Sequence, residues 1–108
     1  MGIKGVKLTN ESVIAAELLV ENLKPIGSIT MKKMFGGHGV FHDGKMFGMV
    51  DSKGAAFLKT NDSLSKTFEN AGARKHGKMP YYSIPEAVLK DHKMLMEWAE
   101  KSIKISKN

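Results

Sequence analysis

A chain of 108 residues has room for one core and not two, so a single domain is expected. Hydrophobic residues at 42% and charged ones at 26% exclude a disordered chain, and no apolar run approaches the ~18 residues of a membrane span. The absence of cysteine excludes disulfides, thiol nucleophiles and Cys-based metal sites, while a net charge of +6 permits a polyanionic partner.

Residues 1–8 show no periodicity and read as a loose leader without a signal-peptide pattern, leaving residues 9–108 as the single domain. Cytoplasmic residence is the simplest expectation. Thr9 or Asn10 caps a helix over residues 12–24, with Ile14, Leu18 and Leu19 as its buried stripe, widened by Ala15 and Leu23. Pro25 and Gly27 end it. Residues 29–34 read as a first strand with Lys32 and Lys33 at an exposed side. Residues 38–42 and 45–50 form a hairpin about Asp43-Gly44, because a type I′ turn needs φ > 0 at both central positions. A two-residue loop sets His42 opposite Lys45, Val40 opposite Phe47, and Gly39 opposite Gly48, so paired glycines would leave one bare spot. Both hairpin faces carry apolar side chains, which predicts a sheet covered on both sides, at least in part.

A turn at Asp51–Gly54 leads to a fourth strand over residues 55–59. Asn61 or Asp62 caps a helix with Leu64, Phe68 and Ala71 on one face and Gly72 at its C′ position. Residues 73–80 form a basic loop, and Tyr81–Ser83 a short edge strand. Ser83-Ile84-Pro85-Glu86 fits a capping box opening one helical turn. Asp91 caps a last helix with Leu95, Trp98, Ala99, Ser102 and Ile103 on its buried stripe. The order predicts an α+β domain: a mainly antiparallel β-sheet meander flanked by N-terminal and C-terminal helices.

Reactive chemistry finds little support. His38 and His42 sit four residues apart on one strand, about 13 Å between Cα atoms, too far to share a metal ion. The glycines at 36, 37 and 39 lead into a strand and not into a helix N-terminus, so they do not form a phosphate loop. No Gly-x-Ser-x-Gly elbow occurs, and Asp43, Asp51, Asp62 and Asp91 fall at turns or caps. The best candidate binding feature is the cluster Arg74, Lys75 and Lys78 beside Tyr81 and Tyr82. Its cations suit phosphates and a tyrosine would stack on a base. A solvated loop is the simpler account, since Arg74 is the only arginine and no recognition helix accompanies it. The eight methionines read mainly as core, with Met31, Met79 and Met96 as candidates for an adaptable partner groove.

Several motifs in fixed order carry a resemblance. They are Lys33-Met34-Phe35-Gly36-Gly37 with Gly39, Asp43-Gly44-Lys45-Met46-Phe47, Met79-Pro80-Tyr81-Tyr82, and Pro85-Glu86 with Leu89 and Asp91 ahead of the Trp98 helix. From Ser12 to Lys104 the chain resembles the N-terminal domain of the TfoX/Sxy family of bacterial competence regulators, in a stand-alone version without their C-terminal domain. The segment 72–79 is shorter than the strand-like connection such domains carry. The resemblance implies an antiparallel sheet flanked by helices, cytoplasmic location, no enzymatic activity and no cofactor. It also implies a part in switching on DNA-uptake genes by assisting a transcription activator and RNA polymerase. Lys33, Met34, Phe35, Gly36, Gly37, Gly39, Asp43, Gly44, Phe47 and Trp98 then read as fold-specifying. A protein partner is the leading expectation. Direct nucleic-acid binding through the basic loop is the alternative, an unrecognised small-molecule or enzymatic site comes third, and a homodimer is open through a free sheet edge.

Overall fold

A computed structural model describes residues 10–34 and 36–107; the 1–8 leader, the Thr9 cap and Phe35 lie outside the described residues. Helix α1 (Asn10–Leu23) runs into a 3-10 turn over Lys24–Ile26, where Pro25 supplies a preset φ. Five strands follow: β1 (Ile29–Met34), β2 (Gly37–His42), β3 (Lys45–Val50), β4 (Ala56–Lys59) and β5 (Tyr81–Ser83). Helix α2 (Asp62–Asn70) lies between β4 and β5, and α3 (Glu86–Leu89) and α4 (His92–Ser106) close the chain. The sheet order is β1-β2-β3-β4-β5, every pair antiparallel, so the expected meander is present.

Helices α1 and α4 pack on one face of the sheet. Beneath them Val40, Phe47, Val50 and Leu58 are fully buried, and Trp98 stacks on Phe68 with centroids 4.1 Å apart and rings 27° from parallel. The terminal helix follows its expected stripe, and Asp91 caps it by accepting from Met94 N at 3.1 Å. Asn61 caps α2 by accepting from Leu64 N at 2.8 Å. That helix ends with Gly72 at φ 92°; Ala73 N donates to Phe68 O and Gly72 N to Glu69 O, a Schellman motif.

The Asp43-Gly44 turn has φ of 51° and 81°, the paired positive values that a type I′ turn requires. Beyond it the hairpin departs from simple alternation. Phe41 pairs with Met46 as expected, but Val40 pairs with Gly48 and Gly39 with Met49, which makes Phe47 the extra residue of a β-bulge. Val40 therefore does not face Phe47, and the two glycines sit on opposite faces. The bulge sends Phe47 into the core while Gly48 and Val50 stay on the same side.

Two further expectations are corrected. The buried stripe of α1 is Ser12, Ala16, Leu19 and Leu23, whereas Ile14 and Leu18 are 55% and 59% exposed. Small residues at 12 and 16 let the helix settle close to β2, where Ser12 Oγ meets His38 Nδ1 at 3.2 Å. His38 is accordingly buried on the helix side. Ser83 does not open a capping box: its Oγ accepts from Arg74 N at 2.9 Å, and α3 starts behind Pro85 without a side-chain cap.

Candidate functional site

Strand alternation sorts the sheet into two unlike surfaces. Cross-strand partners share a face, so Lys32, Gly39, Met49, Phe57 and Ser83 form one row on the side away from the helices. Met34 beside Gly37 and Phe41 beside Met46 belong to the same side. Among the described residues no helix covers this face. Its cover comes from the 73–80 loop, whose His76 ring stands edge-on to Phe57 at 4.7 Å and 85°.

The loop is held by main-chain bonds. His76 N donates to Tyr81 O at 2.8 Å, Ser83 N to Arg74 O at 2.8 Å, and Met79 N to His76 O at 3.1 Å. Residues 74–76 therefore run beside β5 and shield that edge of the sheet, with Lys75 bridging to Tyr82. At the opposite edge, no described strand pairs with the outer side of β1.

Between the loop and the β2–β3 hairpin lies a cavity of about 450 Å³, walled mainly by Met34, Met46, Met49, Met79 and His76, with Gly37 at its base. The two glycines of β2 shape it. A Cβ on Gly37 would lie 2.1 Å from the Val50 carbonyl oxygen, so only glycine lets the strands meet there. A Cβ on Gly39 would lie 2.7 Å from Met34 Sδ and 3.2 Å from Met46 Sδ, so the bare backbone is what lets those thioethers converge. Unbranched, polarisable methionine walls adapt readily to an apolar guest. Asp51 also reaches the wall, but its Oδ1 accepts from Lys53 N and Ala55 N, both at 2.9 Å, which commits that oxygen to the turn.

Of the residues singled out for binding, Arg74, Lys75 and Lys78 are exposed on the loop, and no described carboxylate lies within ion-pair distance of them. Tyr81 and Tyr82 are buried, at 5% and 6% exposure, and offer no free ring for stacking. Tyr82 Oη donates to Glu69 Oε2 at 2.5 Å; that carboxylate holds the phenol proton and raises its pKa, while burial raises that of Tyr81. The loop thus contributes cations without the stacking partners that single-stranded nucleic acid uses.

Among the fold-specifying residues, Lys33 is exposed on β1, Gly36 and Gly44 adopt φ of 79° and 81°, and Trp98 is buried. Met34 has a further place, in the cavity wall. Met79 joins it there, Met31 lies on the helix side at 36% exposure, and Met96 packs against the core. Sequence reasoning missed Met34, Met46 and Met49 as neighbours. Their only signal was a period-two pattern around Gly37 and Gly39, which locates the face but not its cover. No group of three or more His, Asp or Glu able to hold a metal ion occurs among the described residues. No described helix is long and apolar enough to cross a membrane.

A family model described as the TfoX N-terminal domain matches residues 21–106. No curated protein is similar to the chain.

Proposed function

Because the chain belongs to the TfoX N-terminal domain family, whose members are competence-related regulatory domains, we propose that it regulates transcription of DNA-uptake genes without catalysis, by docking a protein partner on the helix-free face of its sheet. One observation carries the docking part: the cavity walled by Met34, Met46, Met49 and Met79 lies on the side that α1 and α4 leave open. Apolar surface of this kind on a small domain is characteristic of a binding site. Asp51 is engaged by its own turn, and His76 meets the Phe57 ring.

The test is made in the native host. Deleting the gene lowers DNA-uptake transcripts, the wild-type chain restores them, and a Met79→Lys chain made at equal abundance restores them poorly. Unchanged transcripts after deletion would remove the regulatory reading. A second reading, direct nucleic-acid binding, is favoured by Arg74, Lys75 and Lys78, which are exposed and have no ion-pair partner among the described residues. It predicts a low-salt gel shift that weakens steeply with added salt and on neutralising those three cations.

A further inference from the structure

Three methionines surround one bare glycine on the helix-free face. Met49 stands directly opposite Gly39 on β3, while Met34 from β1 and Met46 from β3 bring their thioethers over it. Met34 Sδ and Met46 Sδ lie 2.7 and 3.2 Å from the point that a Gly39 Cβ would occupy, so at most about 6 Å separates the two sulfurs. From the 73–80 loop His76 joins the wall of the same cavity, and the exposed Met79 forms its lip. The Nδ1 atom of His76 is shut off from solvent and has no hydrogen-bond partner among the described residues. A buried polar atom left unmet is costly unless a ligand binds it. Charge points the same way. Among the described residues no lysine or arginine lines the cavity, whereas Asp51 sets a carboxylate in its wall. Lys32 shares the face but lies over the Phe41 ring at 5.6 Å, outside that wall.

We propose that this cavity is a soft-metal site, in which the thioethers of Met34, Met46 and Met49 and the imidazole of His76 bind one copper(I) ion. Thioether sulfur is a soft donor that selects copper(I) over harder divalent ions, and imidazole serves copper as well. Harder ions are poorly served, since no group of three or more His, Asp or Glu able to hold a metal occurs among the described residues. Metal–sulfur bonds of ~2.3 Å put two sulfurs on one ion at most about 4.6 Å apart. Met34 and Met46 reach that span by small rotations of their unbranched side chains. Neutral thioethers leave the ion its positive charge, which the Asp51 carboxylate in the wall offsets. Asp51 Oδ1 itself stays with its turn, where it accepts two backbone N–H groups. An apolar guest would use the same walls for their shape and be indifferent to sulfur. The site needs no protein partner, so it holds or fails separately from the docking reading.

The experiment uses the full chain in chloride-free buffer under argon. It is titrated with copper(I) as its acetonitrile complex and, separately, with silver(I), a redox-stable ion of the same charge and softness. Methionine methyl and histidine ring signals are followed by NMR, and affinity by calorimetry. The expected result is saturation at one equivalent, with shifts at Met34, Met46, Met49 and His76. Met31 and Met94, exposed and away from the cavity, stay unmoved and serve as internal controls. Met34→Leu and Met46→Leu keep apolar bulk but remove sulfur, and each weakens binding about tenfold or more, since loss of even an outer partner of a metal costs that much. Gly39→Ala keeps every sulfur yet forces two of them apart, so it also weakens binding. Met94→Leu changes nothing, and zinc(II) leaves the three methionine signals in place.

Shifts spread evenly over all the methionines, no saturation near one equivalent, or unchanged affinity in the Met34→Leu and Met46→Leu chains would each overturn the proposal. So would zinc(II) that displaces silver(I) at equal concentration. Melting temperatures check that the variants fold; should one not, the wild-type titration against Met31 and Met94 decides alone. Failure to bind copper(I) while transcripts still respond to gene deletion removes the metal site and not the regulatory role.

Discussion

Gly37 and Gly39 stand two positions apart on one strand, yet a methyl group added at each meets different matter. At Gly37 it strikes the backbone oxygen of Val50, which cannot swing aside; at Gly39 it strikes the tips of two methionines and the edge of the half-buried Phe41 ring, side chains that can shift. Gly37→Ala should therefore destabilise the fold by about 2–4 kcal/mol in urea denaturation, and Gly39→Ala by less than about 1 kcal/mol. Near-equal losses would contradict this account. Asp43 gives a second test at this scale. Hydrogen bonding from Ser28, then from Lys107 at 3.4 Å, holds its carboxyl below the ordinary 3.8. A depressed pKa stabilises the fold above the unfolded value and is lost as pH falls through the folded one. NMR titration should place Asp43 below 3.8, and Lys107→Ala should move it back upward; an Asp43 that titrates normally would refute this. The Asp43-Gly44 turn was legible because only a few residues adopt two successive positive φ values. The bulge at Phe47 was not, because nothing local separates an extra residue from ordinary alternation.

Caps and turns at the element scale were legible wherever a side chain bonds its own neighbourhood. Asn61 before α2, Gly72 after it and Asp91 before α4 all hold the positions that local rules assign. Each has a measurable worth. Asn61→Ala and Gly72→Ala should each lower stability by about 1 kcal/mol in thermal unfolding, the first by leaving Leu64 N uncapped and the second by straining a left-handed backbone. No loss in either would mean that tertiary contacts, not the caps, fix α2. The face of α1 was misread for the opposite reason. Hydropathy favours Ile14 and Leu18, but the sheet is approached through Ser12 and Ala16, whose merit is small size. The Ser83 box failed in the same way, since the hydroxyl bonds Arg74 across the β5 edge instead of the turn ahead.

For the molecule as a whole, the meander could be read from strand order and short turns, whereas the cavity could not. Its methionines are spread from position 34 to position 79, and only closure of the 73–80 loop brings the last to the first. The two sheet edges also differ. The 74–76 segment covers β5, while among the described residues nothing pairs with the outer edge of β1, which carries Lys32 and Lys33. Edge lysines oppose pairing between copies, so Lys32→Val with Lys33→Val should convert the chain to concentration-dependent association in sedimentation. A strictly monomeric variant would contradict this account of the edge. The position of α4 after every strand has a consequence for synthesis. All five strands can leave the ribosome before the segment that supplies Leu95, Trp98 and Ile103 to their inner surface. At roughly 5–20 residues per second, that surface stays wet for on the order of a second, long enough for a chaperone to reach it. The sole tryptophan then marks the moment of sealing, because its indole becomes buried against Phe68 only when the final helix lies down.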